Sequence, residues 1–279
     1  MISFRAATTD AYQSTRFSLI STAEGVQMAP YLDIRGIATI GIGFNISTFG
    51  TPVGRAVLAA MGIDPEAAQE KPWIDRLGAA VAAAKTNAAL QSGLDAVMAE
   101  RATAGVPGLR TRFAFASALE ARGPFDACSA TYESQIDGWL AGVPPSPERA
   151  VLFSLAYNGL LAHSPSLHAA VQAGDRAEAW FQIRYDSNGG ASRSLGIAQR
   201  RCYESELFAI QDDPAGNPTA AEAAAMARMN AARMDAMAQV EAAFPTAVEK
   251  ANQNFDLTQL ATRKVRTREE TLAPALAVA

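Results

Sequence analysis

Glu24, Asp33 and Thr39 stand in the spacing E-x8-D-x5-T within AEGVQMAPYLDIRGIATIGIGFN, an otherwise apolar and Gly-rich stretch. Two carboxylates flanking a cleft are the minimum equipment for glycoside hydrolysis. One must stay protonated to donate to the leaving oxygen, and the other must stay ionised to activate water or to attack. A helix ending at Gly25 would put Glu24 at the negative end of its macrodipole, and apolar neighbours would desolvate it. Both effects favour the protonated form and suit a general acid. Asp33, on a hairpin beside exposed backbone and Arg35, is expected to stay charged, with Thr39 across the hairpin sharing a water with it. The same short spacing also fits a plainer assignment, in which Glu24 is a solvated helix-end residue and Asp33 a turn residue.

The elements that must position these side chains follow from local pattern. DAYQSTRFSLISTAEG predicts a helix that Gly25 ends. Arg35 and Gly36 read as turn residues between Tyr31–Asp33 and a strand over 37–44. In that strand Ala38, Ile40, Ile42 and Phe44 share an inward face, and Thr39 is presented on the other between residues too small to cover it. From Thr48 to about Glu120 the chain is Ala-rich and helical in character, with breaks at 50–52, 64–65, 71–72 and 105–108. Ser146, Pro147 and Glu148 give an N-cap, a first helical residue and a first-turn acid for the helix AVLFSLAYNGLLA. Gly174-Asp175 reads as a turn between two helices, and DSNGGASRS as a polar loop before LGIAQRRCYESELFAI. QDDPAGNP reads as a linker, after which Thr219 and Glu222 form a capping box for an Ala/Met-rich helix.

Composition removes several classes of function. At 279 residues, with 49% hydrophobic and 19% charged residues, the chain has the make-up of a globular protein. A formal charge of -4 with scattered basic residues gives no field for nucleic acid or an anionic membrane, so neither is expected as a partner. Cys128 and Cys202 have no metal-ligand spacing and read as reduced core residues, and His163 and His168 read as surface or capping groups. No metal and no cofactor are expected. The first residues lack the basic start and apolar block of a secretory signal, and no window is long enough in apolar residues to span a bilayer.

Glu24-Gly25, then Pro30-Tyr31-Leu32-Asp33, Gly36 and Thr39-Ile40-Gly41-Ile42-Gly43 resemble the catalytic helix and hairpin of the phage-type lysozymes, glycoside hydrolase family 24. AVLFSLAYNGL is similar to that family's buried central helix, and GIAQRRCYESELF to its closing helix. These segments cover about half of residues 14–210, in the family's chain order. The resemblance implies an α+β, mainly α, lysozyme-like fold with a short antiparallel hairpin or sheet. It implies Glu24 as general acid, Asp33 as the carboxylate orienting the attacking water and Thr39 as the hydroxyl holding it. The implied substrate is the β-1,4 bond between N-acetylmuramic acid and N-acetylglucosamine, cleaved with inversion. Arg200 matches the family arginine that pairs with the glutamate, with Arg201 beside it as the alternative. Arg200 and Arg201 otherwise read as solvated charges on a helix face. Phe44 departs from the pattern, since many relatives carry histidine there, and Asn45 is the nearest substitute.

Arg184, Ser187 and Asn188, on a loop rich in hydrogen-bonding side chains, are candidates for the saccharide cleft, with an ordinary polar loop as the alternative. Trp139 and Trp180 lie in apolar helical contexts and read as core, and Asn158 is expected to hydrogen-bond toward the loop or the hairpin. The expected organisation is a catalytic domain over 1–210 with an enlarged helical insertion at 48–115, a linker at 211–218 and a helical extension over 219–279. The extension places Met226, Met229, Met234, Met237, Val240 and Phe244 in one helical sector. Such a face either packs on the enzyme's own body or docks to a partner, which the family context makes a phage particle or a secretion system. Without a signal peptide, the protein is expected to be made in the cytoplasm. It would reach the cell wall by holin release, virion delivery or injection. Two rivals stay open, a lytic transglycosylase and a non-catalytic wall-binding component.

Overall fold

The structure, a computed structural model, describes residues 1–104 and 109–277; the break expected at 105–108 lies outside the described residues. The protein is mainly helical α+β, with twelve α-helices among the described residues and one three-stranded antiparallel sheet near the N-terminus. The chain divides into two compact units, Met1–Ala23 with Tyr132–Ala279, and Glu24–Thr131. The boundaries drawn from sequence at 210 and 218 do not coincide with this division.

Helix α1 (Thr9–Glu24) ends as expected, with Gly25 following it at φ 75°, a conformation that glycine adopts without a Cβ penalty. The unit beginning at Glu24 holds the sheet, β1 (Gln27–Leu32), β2 (Ala38–Gly41) and β3 (Phe44–Asn45), in that order. Tyr31 pairs with Thr39 and Leu32 with Ala38, while Ile40 pairs with Phe44. The expected single strand over 37–44 is therefore two strands and a turn. All four residues of β2 are buried, Thr39 among them, where only one face was expected to turn inward and Thr39 to stand uncovered; Gly41 and Gly43 sit at φ 69° and 97°, and the chain reverses between them. A Cβ on Gly41 would lie 2.6 Å from the Phe44 ring, so the glycine is needed for the reversal and for the ring's seat.

Helices α2 (Pro52–Ala60), α3 (Lys71–Ala83) and α4 (Asn87–Ala104), with α5 (Arg122–Trp139), whose residues divide between the units, supply the rest of the helical content up to 139. Ile40, Ile46, Leu58, Leu77 and Leu94 are fully buried in the sheet unit, and Phe49 meets Phe113 at a ring separation of 5.9 Å.

The other unit contains α6 (Pro147–Tyr157), α7 (Pro165–Ala173), α8 (Arg176–Phe181), α9 (Leu195–Phe208), α10 (Ala220–Ala243), α11 (Ala247–Asn254) and α12 (Arg268–Leu276). The local signals hold. Ser146 Oγ accepts the Arg149 N–H at 3.0 Å, with Pro147 as first residue of α6, and Thr219 and Glu222 complete the capping box of α10. Gly174 takes φ 82° and Asp175 then caps α8. The helix expected to run to Tyr185 ends as α8 at Phe181 and goes on as a π turn over Gln182–Asp186; the expected loop follows as a turn over Ser187–Ser192, with Asn188, Gly189 and Gly190 out of helical geometry at φ 55°, 77° and 56°.

The segment over 219–277 shares its core with the preceding helices. Met226, Met229 and Met237 are buried with Trp180, Phe181 and Leu272 in one cluster. Burying each methionine is worth about 1.5–3 kcal/mol, so the apolar sector of α10 is satisfied within this unit. Met234, expected in that sector, is instead 51% exposed.

Candidate active site

Asp33 closes the β1–β2 turn. Its Oδ1 accepts the N–H groups of Arg35 and Ile37, both at 2.8 Å, and its own N–H donates to Ile37 O at 2.9 Å. These bonds, Ile37's first, and the Arg35 guanidinium hold the Asp33 carboxyl below the usual carboxylate range. Oδ2 accepts no hydrogen bond among the described residues and has the Arg35 Nε at 3.8 Å. Asp33 is thus both a turn residue and an ionised carboxylate with one oxygen available.

Thr39 is 5% exposed, and its hydroxyl donates to Ile37 O at 2.9 Å. With that proton committed, Oγ1 keeps its lone pairs as acceptors. Because Asp33 pairs with Ile37 and Tyr31 with Thr39, strand alternation puts Asp33 and Thr39 diagonally across one face of the hairpin. Glu24 is the last residue of α1 and is exposed. The apolar cover expected for it is therefore absent, since the residues just beyond it, Gly25, Gln27 and Met28, are exposed as well.

Phe44, in place of a histidine, is a buried core residue, and Asn45 Oδ1 accepts the Ser47 N–H at 2.8 Å, a local turn bond. A cavity of about 530 Å³ in the sheet unit is lined by the loop after β3 and by α2 and α3; Glu24, Asp33 and Thr39 are not in its walls.

The remaining candidates lie in the helical unit. Arg200 and Arg201 are 4% and 0% exposed, so neither is a solvated surface charge. Arg200 Nε donates to Glu204 Oε1 at 3.0 Å and its Nη2 to Ser154 Oγ at 2.7 Å; Arg201 pairs with the other oxygen of Glu204, and Ser154 also bonds Glu204. Arg201 Nε donates to Asn188 Oδ1 at 2.9 Å, and Ser187 Oγ donates to Ile183 O at 2.7 Å. Ser187 and Asn188 help to line a cavity of about 290 Å³. Arg184 is 2% exposed, its Nη2 donating to Arg266 O at 2.8 Å and its guanidinium lying over Trp180. It belongs to the interior rather than to an open loop. Asn158 caps its own helix, Nδ2 donating to Ser154 O at 2.9 Å, where a longer-range bond was expected.

Sequence reasoning missed two further acids held by arginines, one wholly buried and one half-buried. Glu148, read only as a first-turn residue, is wholly buried and accepts from Arg5 Nε at 2.7 Å and Arg176 Nη1 at 3.1 Å. Glu133 binds Arg149 through Nε at 2.9 Å and Nη2 at 2.7 Å, pairs with Arg16 and accepts the Tyr12 hydroxyl at 2.6 Å. Burial first, then that bond to Glu133, pushes the Tyr12 hydroxyl well above its ordinary range. Arginine partners drawn from distant parts of the chain leave no local signal.

Fold and geometry thus define a mainly helical α+β protein whose short antiparallel sheet carries an ionised carboxylate and a buried hydroxyl on one face. Compared with models of known protein families, with curated proteins and with solved structures, the chain matches none.

Proposed function

We propose that this protein is a peptidoglycan hydrolase, a muramidase of the phage-lysozyme type, cleaving the β-1,4 bond between N-acetylmuramic acid and N-acetylglucosamine. The observation that carries the reading is the Asp33–Thr39 arrangement. A water donating one hydrogen to Asp33 Oδ2 and the other to Thr39 Oγ1 would turn a lone pair toward the anomeric carbon. Glu24 donates its proton to the leaving oxygen, and Asp33 takes the proton of the attacking water. The product is an inverted, reducing N-acetylmuramic acid end. Arg184 and Arg200 contribute by fixing the helical unit rather than by touching sugar, while Ser187 and Asn188 keep a role as cavity-lining polar groups. Attachment to a phage particle or secretion system through 219–279 would use the outer face of α10, where Met234 is exposed.

Mass analysis of sacculi digested by the full chain tests the reading. Reducing ends are expected. Anhydro ends would make it a lytic transglycosylase, and intact sacculi with protein bound would make it a wall-binding component.

A further inference from the structure

β3 is the third strand of the sheet that carries Thr39, and its Asn45 stands directly opposite Thr39. Ile46 N–H donates to Ala38 O at 2.8 Å, which makes Ala38 and Ile46 a hydrogen-bonded pair and Thr39 and Asn45 the closer, non-hydrogen-bonded kind. Their side chains leave the sheet on one face, the face that Asp33 shares across the β1–β2 turn. Thr39 is buried there, and Asn45 beside it is exposed. The Asn45 amide is oriented by its own turn. A backbone N–H can only donate, so the Ser47 N–H at 2.8 Å fixes Oδ1 on that side and leaves Nδ2 on the other. Nδ2 donates to no acceptor among the described residues.

One face of the sheet therefore presents a carboxylate, a hydroxyl that keeps its lone pairs and an oriented amide donor, on strands about 4.7–4.9 Å apart. In the proposed reaction the first two hold the attacking water at the anomeric carbon. The ring carbon next to it is C2, and in both sugars of the proposed substrate C2 carries an acetamido group. Its carbonyl needs a donor that Asp33 lacks when ionised and that Thr39 has already given to Ile37 O. We propose that Asn45 is a specificity-determining residue, donating Nδ2–H to the carbonyl of the C2 acetamido group on the sugar being cleaved. Hydrogen bonds to the substituent at C2 strengthen in the transition state of glycoside hydrolysis, so the contact acts on kcat as well as on binding. The inference rests on the muramidase reading and names the group by which that site selects N-acetylated sugars.

Soluble peptidoglycan glycan oligomers, N-acetylated or with the acetyl groups removed to leave free amines, test it through kcat/KM of the full chain. Asn45→Asp keeps an oxygen for the Ser47 N–H and puts a second oxygen where Nδ2 stood. It is expected to lose about tenfold or more on the acetylated glycan, the worth of an amide donor turned into an opposed acceptor, with an unchanged Tm. On the free-amine glycan, whose ammonium the new carboxylate attracts, it is expected to be faster than wild type. Asn45→Ser, whose hydroxyl can accept the same Ser47 bond, removes the donor without adding charge and is expected to narrow the acetyl preference; it decides alone should Asn45→Asp not fold. A wild-type acetyl preference in the folded variants would overturn this inference and leave the muramidase reading standing. Failure of the wild-type protein to cleave the acetylated glycan would overturn both.

Discussion

On the hairpin, Asp33 keeps Oδ2 outside its hydrogen bonds and Glu24 is exposed at a helix end, whereas in the helical unit Glu148 and Glu204 are wholly buried between pairs of arginines. The same functional group serves opposite ends in the two places. The lone pairs of Glu204 are taken by two guanidiniums of its own helix and by the Ser154 hydroxyl, which ties α9 to α6. Asp33 is held by its own turn through one oxygen only, which orients the carboxylate while leaving the other oxygen usable. Burial and multiple partners mark the acids that build the fold, and the partial exposure and local support of Asp33 are what the proposed reaction would use.

That contrast can be broken experimentally. The largest effect is expected at Asp33: Asp33→Asn should lower the rate of sacculus clearing by about 10²–10⁴-fold, the worth of a positioned proton acceptor, with little change in Tm. Glu204→Ala should do the reverse in character, destabilising by about 3–5 kcal/mol in denaturant titration because two buried guanidiniums lose their counter-charge. Gly41→Ala is expected to destabilise by about 1–3 kcal/mol, through the clash with Phe44 and the positive φ. Its activity loss should exceed its stability loss, since the turn at Gly41 sets the register of Thr39.

Asp33 also sets a pH dependence. Asp33 is held below its unfolded value of about 3.9, so its ionised form, and its contribution to stability, are fully present above that value. Both are lost only as pH falls through the lower folded value. The acidic limb of kcat/KM due to Asp33 is therefore expected below about pH 4, measured on soluble muropeptide oligomers. A limb due to Asp33 near pH 6 would mean that its turn bonds do not persist in solution.

How much of this was legible follows the range of the interactions. Ser146-Pro147, Thr219 with Glu222, Gly25 and Gly174-Asp175 are local devices, and each forms where the sequence puts it. The Gly41–Gly43 reversal was hidden because strand alternation counts side chains, and two glycines add none that would break the pattern. The i,i+3 and i,i+4 spacing of Arg201 and Arg200 to Glu204 is visible in the sequence, but their burial depends on Ser154 and the packing of α6. Nor could one sequence pair Asn45 with Thr39, since their pairing follows from the Gly41–Gly43 reversal. Of the candidate site, the sequence offers the residue types and spacing of Glu24, Asp33 and Thr39, and the structure adds the bonds that hold Asp33 and Thr39.

In the proposed reaction Glu24 is the proton donor, and the buried acids Glu148 and Glu204 hold the fold. Sacculus clearing by Glu24→Gln, at equal folded concentration and beside its thermal melt, tests this most directly. The expected rate is at least about a hundredfold below wild type, with an unchanged melt. A variant that melts as wild type does and clears sacculi at the wild-type rate would contradict it.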